Sequence, residues 1–393
     1  VKELLPMYDT IESGEQFAIV NVVTEDGTFE VATFREDIGK GRRPDDVKFS
    51  TIDKDVLRRD LTINALFYDL DTSEIVDLVG GISDLENGIV RTVGNAEDRF
   101  DEDKLRIMRS IRFAARVGSD VDKGIDKAIK KDNSIISGDG KPLAQERIQD
   151  EFVKGIKQAK SVVHFLNLLD KYGLFKWVFG DLNIDGPKVE SKNILIVLST
   201  LLVNNDNIDK ILVDKLKFNK SLGKQVKFLI DFSKEFSLDT VYKFKTRIKT
   251  LDIKDNILSE FGVIMGLNKT LIKNFNKYEI TTKGEDLIKL GFKGKSLGTE
   301  KERLETEKFK FIMDKKRISY TAVVLDKESH IRLVDLLKEL FDDLTDWRIF
   351  AHHMTIKMGG LPSERKSLLG QEIDLAIDGF GYTDDVVAVR VDT

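Results

Sequence analysis

Cysteine is absent from the 393 residues, which removes disulfides, thiolate nucleophiles and cysteine-based zinc sites together. Histidine is scarce, with four in the whole chain, so any metal ion has to rest mainly on oxygen ligands. Only five prolines occur and long polar low-complexity tracts are missing, a composition that points to a folded chain rather than a disordered one. No apolar run is long enough to span a bilayer, and the opening "VKELLPMYDT" has no charged-then-apolar layout of a signal peptide. A cytoplasmic protein with no membrane and no disulfide partner is expected. Excess positive charge is lacking as well: the net charge is −5, which argues against a surface coated with basic residues for nucleic acid.

What is present is uneven. The chain exceeds what one core usually supports, so several domains are expected. Between Pro187 and Lys283 stand 18 Lys or Arg against 11 Asp or Glu. That local excess on a helical region could follow a phosphate backbone, or it could be a set of solvated lysine-rich helix faces. Near the front, "FAIVNVV" and "FEVATF" flank "TEDG", whose Asp-Gly is a hairpin signal. A helical pattern begins near Asp53, and short β runs around Glu74–Val79 and Gly88–Val93 bracket "GGISDLEN". From Ala96 to about Ile280 apolar residues recur at helical spacing, with breaks at "SGDGKP", "NIDGP" and "TTKGED". "GTEKERLETEKFK" reads as a linker or connecting helix. Beyond it, "KFKFIMDKKRISYTAVVLD" and "WRIFAHHMTIKMGG" have strand character around the helix-like "SHIRLVDLLKELFDD", and "EIDLAIDGFGYTDDVVAVRVDT" reads as two strands joined by a turn.

Two stretches carry chemistry. In "RRDLTINAL", a helix places Asp60 and Asn64 on one face beside Arg59, with Leu61, Ala65 and Leu66 behind. In "EDRFDEDKLRIMRSIRFAARVG", Asp103, Arg106, Arg109, Arg112 and Arg116 follow one another at spacings of three or four. Such a row can pair with phosphates while planar Asp and Arg ends bond a base edge; a surface network of i,i+3 and i,i+4 ion pairs is the plainer alternative.

These blocks, with "FEVATFRED", "GRRPDDVKF", "DLVGGISDL", "LAQERIQDEFVKGI" and "GEDLIKLGFKGKSLG", resemble in order the nucleotidyltransferase family that adds CCA to tRNA 3′ ends, together with the bacterial poly(A) polymerases. The resemblance implies an α+β chain: a polymerase β-like nucleotidyltransferase head, cut at its front, an all-α neck and body, then a small α+β C-terminal domain. The implied boundaries are 1–117 for the head and start of the neck, 118–300 for the helical RNA-binding region and 301–393 for the last domain. It also implies roles. Asp60 with Arg59, and Asn64 beside them, stand at the ribose; Glu102, Asp103 and Arg106 form the base-reading template for CTP or ATP; Arg109 and Arg112 hold the triphosphate. An Asp acceptor beside an Arg donor suits both C and A and pairs badly with U and G. The family's Asp-x-Asp strand for Mg²⁺ and its Gly-Gly loop are not found after Val1, and they are expected upstream of it; Glu30 is the weak metal candidate. The implied activity is template-independent addition of C and A to tRNA or other RNA 3′ ends, with poly(A) synthesis, or RNA binding without catalysis, as the alternatives.

A second constellation is "AHHMTIKMGG", where His353 and Thr355 lie two apart on a predicted strand and so share a face. That pair can donate to a phosphate and shuttle its protons. With "YTAVVLD" before it, the segment from about 310 to 393 resembles the first repeat of the two-histidine phosphoesterases of RNA repair, whose second histidine is expected beyond Thr393. His330 and His352 are poor substitutes. Opening of 2′,3′-cyclic phosphates before nucleotide addition would join the two halves.

Overall fold

The computed structural model describes residues 9–11, 19–38, 46–136, 142–184 and 188–313, with strands at 320–324, 353–358, 376–382 and 387–392. The chain divides into two compact units, Val1–Thr306 and Glu307–Thr393.

The first unit opens with β1 (Asp9–Ile11), β2 (Ile19–Thr24) and β3 (Gly27–Ala32) in one antiparallel sheet of that order. The expected hairpin turns at Glu25-Asp26, where Gly27 takes φ +140°, a conformation that favours glycine. A second antiparallel pair, β4 (Arg35–Ile38) and β5 (Asp46–Phe49), leads into α1 (Ile52–Leu57). Then come β6 (Leu66–Asp69), its antiparallel partner β7 (Glu74–Asp77) and α2 (Gly81–Glu86).

The helix expected through "RRDLTINAL" is not formed. α1 stops at Leu57, Leu61 bridges to Thr92, and Thr62–Asn64 make a single 3₁₀ turn. Tertiary partners override the local pattern there. The Thr62 hydroxyl donates to buried Asp84 at 2.6 Å, and the Thr62 N–H donates to the Arg91 carbonyl at 3.0 Å. Gly81 makes the approach possible, since a Cβ on it would lie 2.3 Å from the Thr62 carbonyl oxygen. The "RRDLTIN" and "DLVGG" blocks are therefore one packed unit. Asp77 secures it by accepting the N–H groups of Val79, Gly80, Gly81 and Ile82 at 2.9–3.1 Å. Partial burial opposes the charge on Asp77, but those four donors outweigh it and hold its carboxyl below the usual range.

Helices follow as expected: α3 (Ala96–Glu102), α4 (Leu105–Val117), α5 (Lys123–Lys131), α6 (Gln145–Gln158), α7 (Val162–Lys171), α8 (Phe175–Phe179) and α9 (Ile194–Leu201). α10 (Ile208–Lys210), α11 (Lys220–Glu235), α12 (Val241–Leu251), α13 (Asp255–Ile264), α14 (Lys269–Lys277), α15 (Gly284–Lys289) and α16 (Gly294–Met313) complete them. Asn95, Asp122, Ser161, Asn193, Asn219 and Asn268 accept first-turn N–H groups and cap six of them; each cap contributes about 1 kcal/mol. α4 is the spine, with Ile107, Met108, Ile111, Ala114 and Ala115 fully buried. α6 and α7 meet at Gly155, where a Cβ would fall 2.1 Å from the Phe165 ring. Further on, Phe228 and Phe232 of α11, Phe244 of α12 and Phe275 of α14 pack ring against ring with Phe236. Beside them the buried Lys245 ammonium donates to the carbonyls of Phe275 and Asn276 at the end of α14, at 2.8 and 3.1 Å. Burial pushes its pKa down.

Lys308–Met313, expected as strand, is the last part of α16, with Phe309 buried. The alternation in "KFKFIM" therefore misleads, because helical packing of Phe309 decides the matter. In the second unit β8 (Tyr320–Val324) pairs antiparallel with β9 (His353–Met358), and β10 (Ala376–Tyr382) with β11 (Val387–Asp392). The latter two are the expected hairpin strands. The expected helix "SHIRLVDLLKELFDD", with His330, and His352 as well, lie outside the described residues.

Candidate nucleotide-binding site

A cleft of about 750 Å³ in the first unit is lined by Glu30 and Ala32 of β3, Arg35, the turn Arg58–Asp60 with Asn64, Asp103, and Leu105, Arg106, Arg109 and Phe113 of α4; Arg147, Asp150 and Glu151 of α6 close it. Most of the residues singled out in the sequence meet here, although they come from segments more than forty positions apart.

Asp60 is the hinge of the arrangement. One carboxylate oxygen accepts the Leu61 N–H at 2.9 Å and the Asn64 amide at 3.4 Å, and the other accepts Arg109 Nε at 2.6 Å. The Asp60–Asn64 pairing expected from a helix thus survives on a 3₁₀ turn. Arg109 reaches Glu151 as well, at 3.7 Å. Burial disfavours the Arg109 cation, yet the attraction of Asp60, its hydrogen bond, and the charges of Glu151 and Asp103 prevail and raise its pKa. It is a permanent cation at the cleft wall.

Arg58 and Arg59 share one anchor. Asp55, almost fully buried, accepts Arg58 Nε and Nη2 at 3.0 and 2.8 Å and Arg59 Nε at 3.2 Å, and it also takes the Arg35 N–H at 3.2 Å. The Arg59 guanidinium lies 4.5 Å from the centre of the Phe67 ring. Sequence reasoning missed Asp55, the second of two acids, after Asp53, that precede the two arginines.

Asp103 does not stand on α4. It leaves the end of α3 in extended conformation, and its carboxylate accepts the Leu105 N–H at 3.0 Å and Arg147 Nη2 at 3.3 Å. Arg106 is braced by Glu102 at 2.5 Å and by the carbonyls of Arg99 and Arg58 at 3.2 and 3.0 Å. Glu102 is thus a buttress of the wall rather than part of its lining. Arg112 is also absent from the lining. It is buried, its Nε donates to Glu151 at 2.7 Å and its Nη1 to Gln158 at 2.9 Å, and its guanidinium lies 4.2 Å from the Phe113 ring centre. Arg116, last in the row, is exposed. Straight helical spacing gave all four arginines one direction, whereas the partners on α6 divide them. Arg147 and Glu151, one helical turn apart in "LAQERIQDEFVKGI", are cleft residues that the sequence reading did not single out.

Glu30 lines the cleft from β3 and is exposed. Among the described residues no three His, Asp or Glu side chains converge on a point where an ion could sit. The donor set of the described residues therefore does not fit a Mg²⁺ site. In the second unit His353 and Thr355 both fall on β9, and the ladder sets His353 opposite Val324 and Thr355 opposite Ala322. Among the described residues no helix is long and apolar enough to cross a membrane.

Residues 1–91 match the family described as Poly A polymerase head domain. A CCA-adding enzyme of Ligilactobacillus salivarius is 30% identical over 365 residues, covering 85% of this chain and 84% of that protein. One from Bacillus subtilis is 40% identical over 148 residues, covering 37% of this chain and 36% of its own length. Among solved structures, the Bacillus stearothermophilus CCA-adding enzyme in complex with CTP aligns with a TM-score of 0.56 at 19% identity, over 84% of each chain. The Thermotoga maritima CCA-adding enzyme complexed with tRNA aligns at 0.54 and 19% identity, over 86% of this chain and 83% of that one. These two likenesses concern the fold; the sequence match along most of the chain establishes descent, and the chain belongs to the CCA-adding enzyme family of nucleotidyltransferases.

Proposed function

We propose that this protein adds C and A nucleotides to the 3′ end of tRNA without a nucleic-acid template, selecting CTP and ATP by side chains of the cleft. The observation that carries the reading is the meeting of Asp60, Asp103, Arg106 and Arg109 around one opening large enough for a nucleotide. Asp60 and Arg59 face the ribose. Asp103 accepts from the exocyclic amino group of C or A, and Arg106, braced by Glu102, donates to the neighbouring ring nitrogen. Arg109 meets the phosphates as a fixed cation. Arg112 serves the same end indirectly: with its charge spent on Glu151, it holds that carboxylate where Arg109 can reach it. Solved relatives described as complexes with CTP, ATP and tRNA support the choice of substrates.

The test measures binding of each of the four nucleoside triphosphates to the 393-residue protein by equilibrium dialysis, and incorporation into tRNA lacking its terminal CCA by a form that also carries the family's Asp-x-Asp strand ahead of Val1. Preferential binding of CTP and ATP, with C incorporated before A, is expected. Growth of an A tract without C would favour poly(A) synthesis, the reading that the head-domain match also allows. Equal binding of all four triphosphates with no incorporation would leave an RNA-binding protein without catalysis.

For the second unit we propose a two-histidine-type phosphoesterase half acting on RNA ends, supported by the placement of His353 and Thr355 at alternate positions of β9. In a form that also carries the second repeat, hydrolysis of a 2′,3′-cyclic phosphate that is lost in His353→Ala is expected; equal hydrolysis by the variant removes the proposal.

A further inference from the structure

Three residues of the cleft lining, Arg35, Arg58 and Arg59, converge on a carboxylate that does not line the cleft itself. Asp55 is 1% exposed. Its two oxygens accept the Arg35 N–H, Nε and Nη2 of Arg58, and Nε of Arg59, all at 2.8–3.2 Å. An ionised carboxylate offers about four acceptor sites, so these donors fill it. Whatever Asp55 does for a bound nucleotide, it does through other groups.

Arg58 carries the link onward. Its carbonyl, just past the end of α1, accepts Arg106 Nη2 at 3.0 Å, and the Leu57 carbonyl accepts Arg99 Nη1 at 2.8 Å. Carbonyls at a helix C-terminus lack intrahelical partners and carry partial negative charge, so arginines settle there. Arg106 thus gives N–H groups to Arg58, Arg99 and Glu102. A guanidinium has five in one rigid plane, and those left over for a base point where the three partners set that plane. Arg99 and Glu102 belong to α3, on the base side; the Arg58 carbonyl is the partner that belongs to the ribose side.

We infer that Asp55 is a positioning residue that couples ribose choice to base choice: through Arg59 it sets the ribose wall, and through Arg58 it sets the carbonyl that orients Arg106. The role rests on the nucleotide-selecting reading of the cleft and deepens it. Both selections then depend on one buried charge that no nucleotide touches. In Asp55→Asn one oxygen becomes an NH₂ that meets arginine N–H groups donor against donor, and neither guanidinium keeps its countercharge. Both arginines lose their direction together.

Equilibrium dialysis of the full chain with CTP, dCTP and UTP tests this, because it returns affinity and number of sites separately. In Asp55→Asn the CTP-to-dCTP and CTP-to-UTP affinity ratios are each expected to fall about tenfold, the size of one charge-assisted hydrogen bond. A merely structural role lowers the number of sites and leaves both ratios unchanged, which would overturn the inference. A fall in the ribose ratio alone would overturn the coupling. Arg58→Ala gives a second answer where Asp55→Asn does not fold, since it leaves Asp55 paired with Arg59: the base ratio is expected to fall while the ribose ratio holds. An unchanged base ratio, or an equal loss for all three nucleotides, would overturn the route through Arg58. If the unaltered protein shows no preference for CTP over UTP, the reading of the cleft fails first, independently of Asp55.

Discussion

Two regions of the first unit are built on opposite principles. In the helical body, rings from α11, α12 and α14 meet face and edge around Phe232, which is fully buried and lies 4.1–5.9 Å, centre to centre, from Phe228, Phe236, Phe244 and Phe275. At the cleft, charged pairs join distant segments: Arg109 to Asp60, Arg112 to Glu151 and Arg147 to Asp103. Aromatic burial is non-directional and tolerates small shifts, so it supplies stability without aiming any group. Ion pairs of this kind stabilise little net of desolvation, but each fixes a direction. The region that must present donors and acceptors at defined places is the one held by charge.

Phe232→Ala should have the largest effect on stability, a loss of about 3–5 kcal/mol in denaturant unfolding, with nucleotide preference intact in the folded protein. A changed preference would break the division of labour. Glu151→Gln comes next: it leaves the buried Arg112 without its countercharge, for a loss of roughly 3 kcal/mol, and it should also weaken CTP binding because Arg109 loses a restraint. Asp60→Asn should cost little stability and act on discrimination instead. The ratio of CTP to dCTP affinity is expected to fall by about tenfold; an unchanged ratio would move the ribose away from Asp60.

A smaller effect belongs to the edge of the neck, where Lys104 bridges Asp101 and Asp132 at 2.9 and 2.8 Å. Burial acts against the Asp132 charge, but the bonds from Lys104 and Ser134 prevail and bring its pKa from 3.8 down to about 2. A carboxyl with a depressed folded pKa stabilises above the unfolded value, and that contribution disappears as pH falls through about 2. Unfolding free energies of the unaltered chain and of Asp132→Asn should therefore differ at pH 5 and converge near pH 2, and a difference independent of pH would contradict this. The smallest change is expected for Lys130→Gln, which removes an exposed pair with Asp126 on α5. A shift within about 0.5 kcal/mol sets the baseline against which the cleft pairs are judged.

Legibility from sequence follows the same division. The helices after Ala96 could be read because their apolar period is a local signal. The hairpin at "TEDG" was local too. The turn at Arg58–Asn64 was misread as helix, since Asp84 and Arg91, more than twenty residues on, hold Thr62. Arg112 stands apart from the lining for a similar reason: four arginines at helical spacing look alike until Glu151 and Gln158 take up one of them. Asp55 and Arg147 went unnoticed because charged residues among other charged residues on short helices carry no mark of what they will touch.

By itself the sequence determined most of the helices and the two hairpins, the absence of thiol chemistry, and the order of blocks that marks the family, since these depend on residue types and short-range spacing. Tertiary structure alone decided which charged groups look into the cleft. A guanidinium reaches about the width of a helix, so its direction is set by whichever carboxylate folding brings near, and that partner here stands about forty residues away in the chain.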